Sequence, residues 1–279
     1  MTTPVTVLVV GASGTTGSRV ARGVAARGHR VKAAGRRAQG PLGVRFDWYD
    51  RTTHEEALSG TDHVYLVPPL ASADPAAIML PFLELARASG VRRAVLLSSS
   101  AIPAGGPAVG QVHQALPSLF DEWAVLRPSW FMQNFTGDHM HAHSIREEGT
   151  IRTAAGEGRV AFVDADDIAA VATHALTDRH APDTDLVITG PETLSYTDVA
   201  TILSEVTERT VTHRQLTYPQ MRDHLAAAMP TEFAAMLASM DTAVADGAED
   251  RVTDTVLRVT GRRPRDFRAH VERAVAAGQ

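Results

Sequence analysis

One stretch near the start of the chain, VTVLVVGASGTTG (residues 5–17), constrains the fold more than any other. A Val-rich run ends at Gly11, and the glycines Gly11, Gly14 and Gly17 follow at G-x-x-G-x-x-G spacing. A segment of helical character comes next, with Val20 and Val24 four apart. In a strand–turn–helix that holds a dinucleotide, the first glycine turns the chain off the strand. The second lets backbone amides approach the pyrophosphate, the third lets the helix pack on the sheet, and the helix N-terminus supplies partial positive charge. The alternative is an ordinary strand-to-helix turn; the position between a strand and a helix favours the dinucleotide reading. Ser13, Thr15 and Thr16 stand among the glycines and are expected to share the cofactor contacts.

Short apolar runs recur at 31–34, 63–67, 94–98 and 124–126. They are continuous rather than alternating, as strands buried on both faces are. Residues 19–27 and 75–89 between them read as helices, the second with Pro75 in its first turn and Gly90 at C′. Strand–helix alternation of this kind predicts an α/β fold with a doubly wound parallel sheet. Beyond residue 190 the patterns are mostly helical. Helices are expected near 219–228, 231–244, 251–260 and 264–276, and Ser195 and Asp198 form a capping pair. The expected division is a nucleotide-binding domain over 1–135, completed by elements around 160–190, and a smaller, mostly helical substrate-binding region over 136–279 interleaved with it.

Composition excludes several classes. The 279 residues are 44% hydrophobic and 21% charged, ordinary for a globular chain. A net charge of −5 offers no basic footprint for nucleic acid. There is no cysteine, hence no disulfide framework and no thiolate chemistry. The first apolar run is too short for a signal or membrane helix. A cytoplasmic monomer or homodimer acting on a small molecule, with no membrane or nucleic-acid partner, is the expectation.

The end of the second predicted strand selects the nucleotide. NAD sites place an acid there for the ribose hydroxyls, but this chain reads VKAAGRR, with Arg36 and Arg37 and no acid. Guanidinium groups suit a 2′-phosphate, so NADP(H) is the expected cofactor; the alternative is that both arginines solvate a loop. Asp47 is a candidate for the adenine amino group, or a turn residue. Pro68 and Ser98, at the ends of later strands, and Pro128 complete the expected cofactor contacts.

The motifs GASGTTG, LRPSWFMQNF (126–135), FVDADDIAAVA (162–172), ITGPETLSYTDVATILSEV (188–206) and VTDTVLRVTGRRPRDF (252–267) together resemble the NmrA-like branch of the atypical short-chain dehydrogenase/reductases. The resemblance covers nearly the whole chain. It implies an extended Rossmann domain, a partly helical C-terminal region and a substrate cleft between the two. That branch includes reductases of quinones, imines, enones and polycyclic ketones, and also NADP sensors that regulate transcription.

Ordinary short-chain dehydrogenases protonate the substrate oxygen with Tyr-x-x-x-Lys, the lysine lowering the tyrosine pKa. This chain cannot contain that motif. Its only lysine is Lys32, and its tyrosines are Tyr49, Tyr65, Tyr196 and Tyr218, none of them within SSSAIPAGGPAVGQVHQAL (98–116). Ser98, Ser99 and Ser100 are expected at the carboxyl edge of the sheet, where such folds bind ligands. Ser100 resembles the family's active-site serine. His113 falls close to where the tyrosine would stand, and imidazole titrates near neutrality; it is either a proton donor or a polar residue on a surface helix or pocket rim. A third route needs no protein acid, the substrate polarising its own carbonyl through a neighbouring phenol.

Trp130, Phe131 and Met132, with Met79 and Phe82, offer an apolar wall suited to an aromatic substrate, although plain core packing accounts for at least one of the loop residues. His139 and His143 are four apart on an expected helix face, but no H-E-x-x-H glutamate accompanies them and no metal is expected. Asp164, Asp166 and Asp167 read as a helix N-cap cluster without catalytic work. The chain therefore reads as an NADPH-dependent reductase of an aromatic or polycyclic carbonyl compound, in the manner of a secondary-metabolism ketoreductase. The alternatives are a redox-sensing NADP-binding regulator without turnover and an NADPH-dependent quinone reductase.

Overall fold

The computed structural model describes residues 3–38, 40–69, 72 and 74–278. The chain forms two compact units, one of Met1–Pro128, Ala165–Ile188 and Arg258–Gly261, the other of Ser129–Asp164, Thr189–Leu257 and Arg262–Gln279.

The first unit begins with β1 (Thr6–Val10), α1 (Gly17–Ala26), β2 (Arg30–Gly35), β3 (Gly43–Arg45), α2 (His54–Leu58) and β4 (His63–Leu66). It continues with α3 (Pro75–Ala88), β5 (Arg93–Leu97), α4 (Gly110–Leu119) and β6 (Glu122–Pro128). After α5 (Met140–Glu148), β7 (Thr150–Thr153) and β8 (Arg159–Val160) of the second unit, the chain returns to the first for α6 (Ala165–Thr177) and β9 (Thr184–Ile188). The second unit then receives β10 (Leu194–Ser195), α7 (Tyr196–Thr207), β11 (Thr212–Gln215), α8 (Tyr218–Ala226) and α9 (Thr231–Ala245). Last come α10 (Thr255–Thr260) and α11 (Phe267–Ala276).

Seven strands form one sheet in the order β3-β2-β1-β4-β5-β6-β9, every pair parallel. The expected doubly wound fold is confirmed. On one face Leu8, Val64, Leu66, Leu96 and Val125 pack with Leu83 of α3 and Val112 and Leu116 of α4. Burying each large apolar side chain stabilises the unit by roughly 1.5–3 kcal/mol. Helices α1 and α6 pack on each other so closely that a Cβ on Gly23 would lie 2.4 Å from Thr173 Oγ1. The doubly wound order leaves the carboxyl ends of β1, β4, β5 and β6 along one edge, where ligands bind in open α/β sheets.

The second unit has two short strand pairs, β10 antiparallel to β8 and β11 parallel to β7. Its core holds a ring cluster in edge-to-face contact, with Phe135 5.2 Å from Phe162, Phe162 5.6 Å from Tyr196 and Phe135 5.4 Å from Phe267. The capping pair before α7 is a full capping box: Asp198 N donates to Ser195 Oγ at 3.1 Å and Ser195 N to Asp198 Oδ2 at 3.0 Å. Two helix boundaries differ from expectation. The helix expected from 251 starts only at Thr255, and the one expected from 264 starts at Phe267, where Asp266 accepts from Ala269 N at 2.8 Å and caps it.

Candidate cofactor and substrate site

The turn after β1 is built around its glycines. Gly11 has φ +72°, which a side chain would strain, and its N–H donates to Ala34 O at 3.1 Å. Gly14 N donates to Gly11 O at 2.9 Å. A Cβ on Gly17 would sit 2.2 Å from Gly11 O, so no larger residue fits. Helix α1 begins at once, and its N-cap Thr16 makes no side-chain cap bond. Its first turn holds no acid. Carbonyls of the turn meet the next amides, with Ser18 N donating to Gly14 O at 3.1 Å and Arg19 N to Thr16 O at 3.1 Å. With no side-chain cap and no acid, the dipole keeps its positive end, the arrangement that favours a pyrophosphate. Ser13 and Thr15 are exposed beside these amides, and Thr16 is buried.

Arg36 and Arg37 follow β2 directly and are exposed, and neither guanidinium has an ion-pair partner among the described residues. Asp47 follows β3 in a tight turn. Its Oδ1 accepts from Tyr49 N at 3.0 Å and its carbonyl lies 2.9 Å from His54 Nε2, so the turn role is real and Oδ1 is committed to it. Pro68 lies half-buried just past β4, next to Val67, whose carbonyl accepts from Trp48 Nε1 at 3.0 Å.

The ends of β5 and β6 are locked together. Ser98 N donates to Leu126 O at 2.7 Å, and Ser100 N to Pro128 O at 2.9 Å. Arg127 of β6 completes the lock. Its Nη2 donates to Ser100 O at 2.9 Å, its Nε faces Ser99 O at 3.5 Å, and its Nη1 pairs with Asp185 Oδ2 of β9 at 2.7 Å. Ser100 is buried. His113 lies on the inner side of α4 at 6% exposure rather than on a surface rim. Burial holds its pKa below the ordinary imidazole value; Arg127 adds to this and Asp185 opposes it.

Among the described residues, three buried side-chain polar atoms lack a hydrogen-bond partner: Tyr65 Oη, Ser98 Oγ and His113 Nδ1. Such orphans are rare and each demands an explanation. Ser98 stands at the end of β5 and His113 on the helix that follows it. Tyr65 is fully buried in mid-sheet, paired with Val9 and Val95, and burial pushes its phenol well above the ordinary tyrosine value. It does not stand in for the missing acid.

In the second unit, Trp130 O accepts from Val163 N and Met132 N donates to Val163 O, both at 2.9 Å. Trp130 and Phe131 stay half-buried, whereas Met132 is 1% exposed in the hydrophobic cluster with Phe135 and Phe162. Met79 and Phe82 are likewise enclosed in the core of the first unit. These three residues therefore serve packing and present no surface to a substrate, which corrects their expected place in an apolar wall. Ser129 Oγ donates to the buried Glu249 at 3.3 Å.

Two other expectations need correction. His139 does not share a helix face with His143; it is the N-cap of α5, its Nδ1 accepting from His141 N at 3.2 Å, while His143 is exposed and pairs with Asp138 at 2.8 Å. Among the described residues no group of three His, Cys, Asp or Glu side chains is placed to hold a metal. Asp164 is more than a cap residue. It is 1% exposed and gathers Gln133 Nε2 at 2.9 Å, Arg265, and His270 Nδ1 at 3.1 Å. Three separate sequence motifs thus meet on one buried carboxylate. Asp166, two residues on, pairs with Arg19 of α1 at 2.7 Å. Arg127 was missed, and Asp164 was taken only for a cap, because position alone does not reveal burial. A lone arginine inside the AVLRP strand was the available signal, since a charge in a sheet interior must be paired.

A parallel sheet with an uncapped, glycine-built helix start at its carboxyl edge defines a dinucleotide-binding α/β protein. The chain matches the NmrA-like family over residues 113–266 and the NAD dependent epimerase/dehydratase family over residues 7–118. It is 42% identical to the oxidoreductase YesF of Bacillus subtilis (strain 168), across 94% of this chain and 92% of that one. It is 40% identical to festuclavine synthase II of Penicillium roqueforti (strain FM164), across 94% and 96%, and 39% identical to agroclavine dehydrogenase of Claviceps fusiformis, across 94% of each. Among solved structures it is similar to the NADPH-dependent quinone oxidoreductase QOR2 of Escherichia coli complexed with NADPH, at TM-score 0.77, 19% identity and coverage of 96% and 99%. It is also similar to NmrA, a negative transcriptional regulator, in complex with NADP, at TM-score 0.75, 17% identity and coverage of 100% and 99%. The chain belongs to the NmrA-like family. Among the described residues no helix is long and apolar enough to cross a membrane.

Proposed function

We propose that this chain is an NADPH-dependent reductase that delivers hydride to the carbonyl of an aromatic or polycyclic small molecule, without a Tyr-x-x-x-Lys acid. The observation that carries the reading is the pair of orphaned polar atoms, Ser98 Oγ and His113 Nδ1, at the same sheet edge as the uncapped start of α1. Bound NADPH supplies the hydride. The chain's residues do the rest. The turn from Gly11 to Gly17 takes the pyrophosphate, and Arg36 and Arg37 take the 2′-phosphate by charge-assisted hydrogen bonds. Asp47 faces the adenine with the carboxylate oxygen its turn leaves over. Pro68 and Pro128 flank the cofactor at the ends of β4 and β6. Arg127 fixes the Ser99 and Ser100 carbonyls, and so the loop that carries the serine hydroxyls. Ser98 and Ser100 hydrogen-bond the substrate oxygen.

His113, held neutral by burial, donates a hydrogen bond through a ring N–H rather than a full proton. The product proton comes from solvent or from the substrate's own phenol. Catalysis rests mainly on proximity and orientation. The names of the similar proteins, a festuclavine synthase and an agroclavine dehydrogenase, support an oxidoreductase that acts on a small molecule. The test is NADPH consumption with a panel of polycyclic ketones and quinones, alongside NADPH titration. Turnover of a polycyclic ketone is the expected result. Turnover of quinones alone would move the chain to the quinone reductases. Tight NADPH binding with no turnover on any of them would make it a sensor.

A further inference from the structure

The second unit contains a cavity of about 240 Å³ that the proposed reaction does not use. Phe135, Leu203 and Val271 form its floor and are each 3% exposed or less. At its rim lie two exposed guanidiniums, Arg146 at the end of α5 and Arg209 just after α7. Neither is neutralised. Arg146 donates to Gly137 O at 3.3 Å and meets His143 Nδ1 at 3.3 Å, and Arg209 donates to Arg146 O at 3.2 Å. Among the described residues no carboxylate pairs with either.

An apolar floor under two unpaired cations is complementary to one kind of molecule. We propose that this cavity binds a small amphipathic carboxylate, its hydrocarbon or aromatic body on Phe135, Leu203 and Val271 and its carboxylate between Arg146 and Arg209. The volume lies below the roughly 300–1,000 Å³ of sites for drug-sized ligands, so the occupant is a compact acid. Arginine is suited to the task because its planar fork matches a carboxylate bidentately. A bare phosphate would gain nothing from the floor, and an uncharged alcohol would gain nothing from the rim.

The site also touches the Asp164 network. Thr136, which lines the cavity, is 2.9 Å from His270 Nε2, and His270 reaches Asp164, which holds Gln133 two residues beyond Phe131. The inference stands on geometry independent of the proposed reduction.

Calorimetry of the full chain with octanoate, octanol and inorganic phosphate tests it. Octanoate should bind saturably at one site, octanol and phosphate each at least about tenfold more weakly, since the loss of a charge-assisted contact is worth that much. Saturating NADPH should leave octanoate affinity unchanged. The double variant R146Q/R209Q should lose at least about tenfold in octanoate affinity. Val275→Trp, at an exposed rim position, should block binding while leaving the melting temperature within a few degrees. No saturable octanoate binding, equal binding of octanol or phosphate, displacement by NADPH, or full affinity in R146Q/R209Q would each overturn the proposal.

Discussion

The guanidinium of Arg127 donates to the backbone carbonyl of Ser100 at 2.9 Å, so a strand residue holds the loop on which the proposed serine chemistry depends. The same guanidinium pairs with Asp185 at 2.7 Å, which ties β9 to that loop through one side chain. Replacing it with methionine keeps the stem and deletes the donors. Arg127→Met should lower kcat about 10- to 100-fold while NADPH affinity changes little, and should cost about 1–3 kcal/mol of stability. Arg127→Lys should recover part of the stability and less of the kcat, because it cannot serve two carbonyls and a carboxylate together. Equal losses in kcat and in NADPH affinity would mean that the residue only holds up the fold.

Arg36 and Arg37 stand exposed beyond β2, without an ion-pair partner among the described residues. Wild-type protein should bind NADPH at least about a hundredfold more tightly than NADH, from two charge-assisted contacts. R36A/R37A should remove most of that preference and leave NADH affinity nearly unchanged. Fluorescence titration with both nucleotides measures it, and equal wild-type affinities would sink the NADP assignment.

Loss of a true general acid typically costs about 10²–10⁴-fold in rate. With His113 buried, its pKa lowered and its Nδ1 without a partner, His113→Ala should cost less than about tenfold, and Ser100→Ala no more than about a hundredfold. A substrate with a phenol beside its ketone should outpace its methyl ether. A loss above about 10³-fold in kcat for His113→Ala with NADPH binding intact would restore the histidine as the acid.

Two groups in the second unit make opposite contributions to acid stability. His141 stacks on Phe135 at 5.6 Å, and burial first, then His139, His213 and His224, hold its pKa down to about 3 from 6.5. Below pH 6.5 the unfolded chain takes up this proton and the folded one does not, so stability falls as pH drops toward 3. Asp241 accepts from Ala154 N at 2.8 Å, and burial pushes its pKa up to about 6 from 3.8. Its contribution is complete below 3.8 and is lost as pH rises through 6. In urea melts, His141→Phe should flatten the fall between pH 6.5 and 4. Asp241→Asn should raise stability at pH 8, by at most about 3 kcal/mol, with little effect at pH 4. A uniform change at both pH values would assign either residue to packing alone.

The sheet was legible because its strands are continuous apolar runs, and the glycine turn because each glycine answers a separate steric demand. β3 and the two short strand pairs were not legible, being too short for periodicity to register. Met79, Phe82 and Met132 were expected in an apolar wall and are core residues, because nothing in the sequence distinguishes a residue lining a site from one filling a core. His139 misled because a four-residue spacing marks a helix face only inside a helix, and the helix begins one residue later. Asp164 was read as a cap because its partners are more than thirty and a hundred residues away, at Gln133, Arg265 and His270.

The seven-stranded sheet closes on β9, and β9 is made long after β6. During synthesis the outer edge of β6 waits for residues 129–183 to be translated, several seconds at roughly 5–20 residues per second. For that interval the nascent chain shows an open, apolar strand edge, the kind of edge that recruits another chain. Nascent chains stopped before residue 184 should therefore depend on chaperones, and chains that have passed 188 should not.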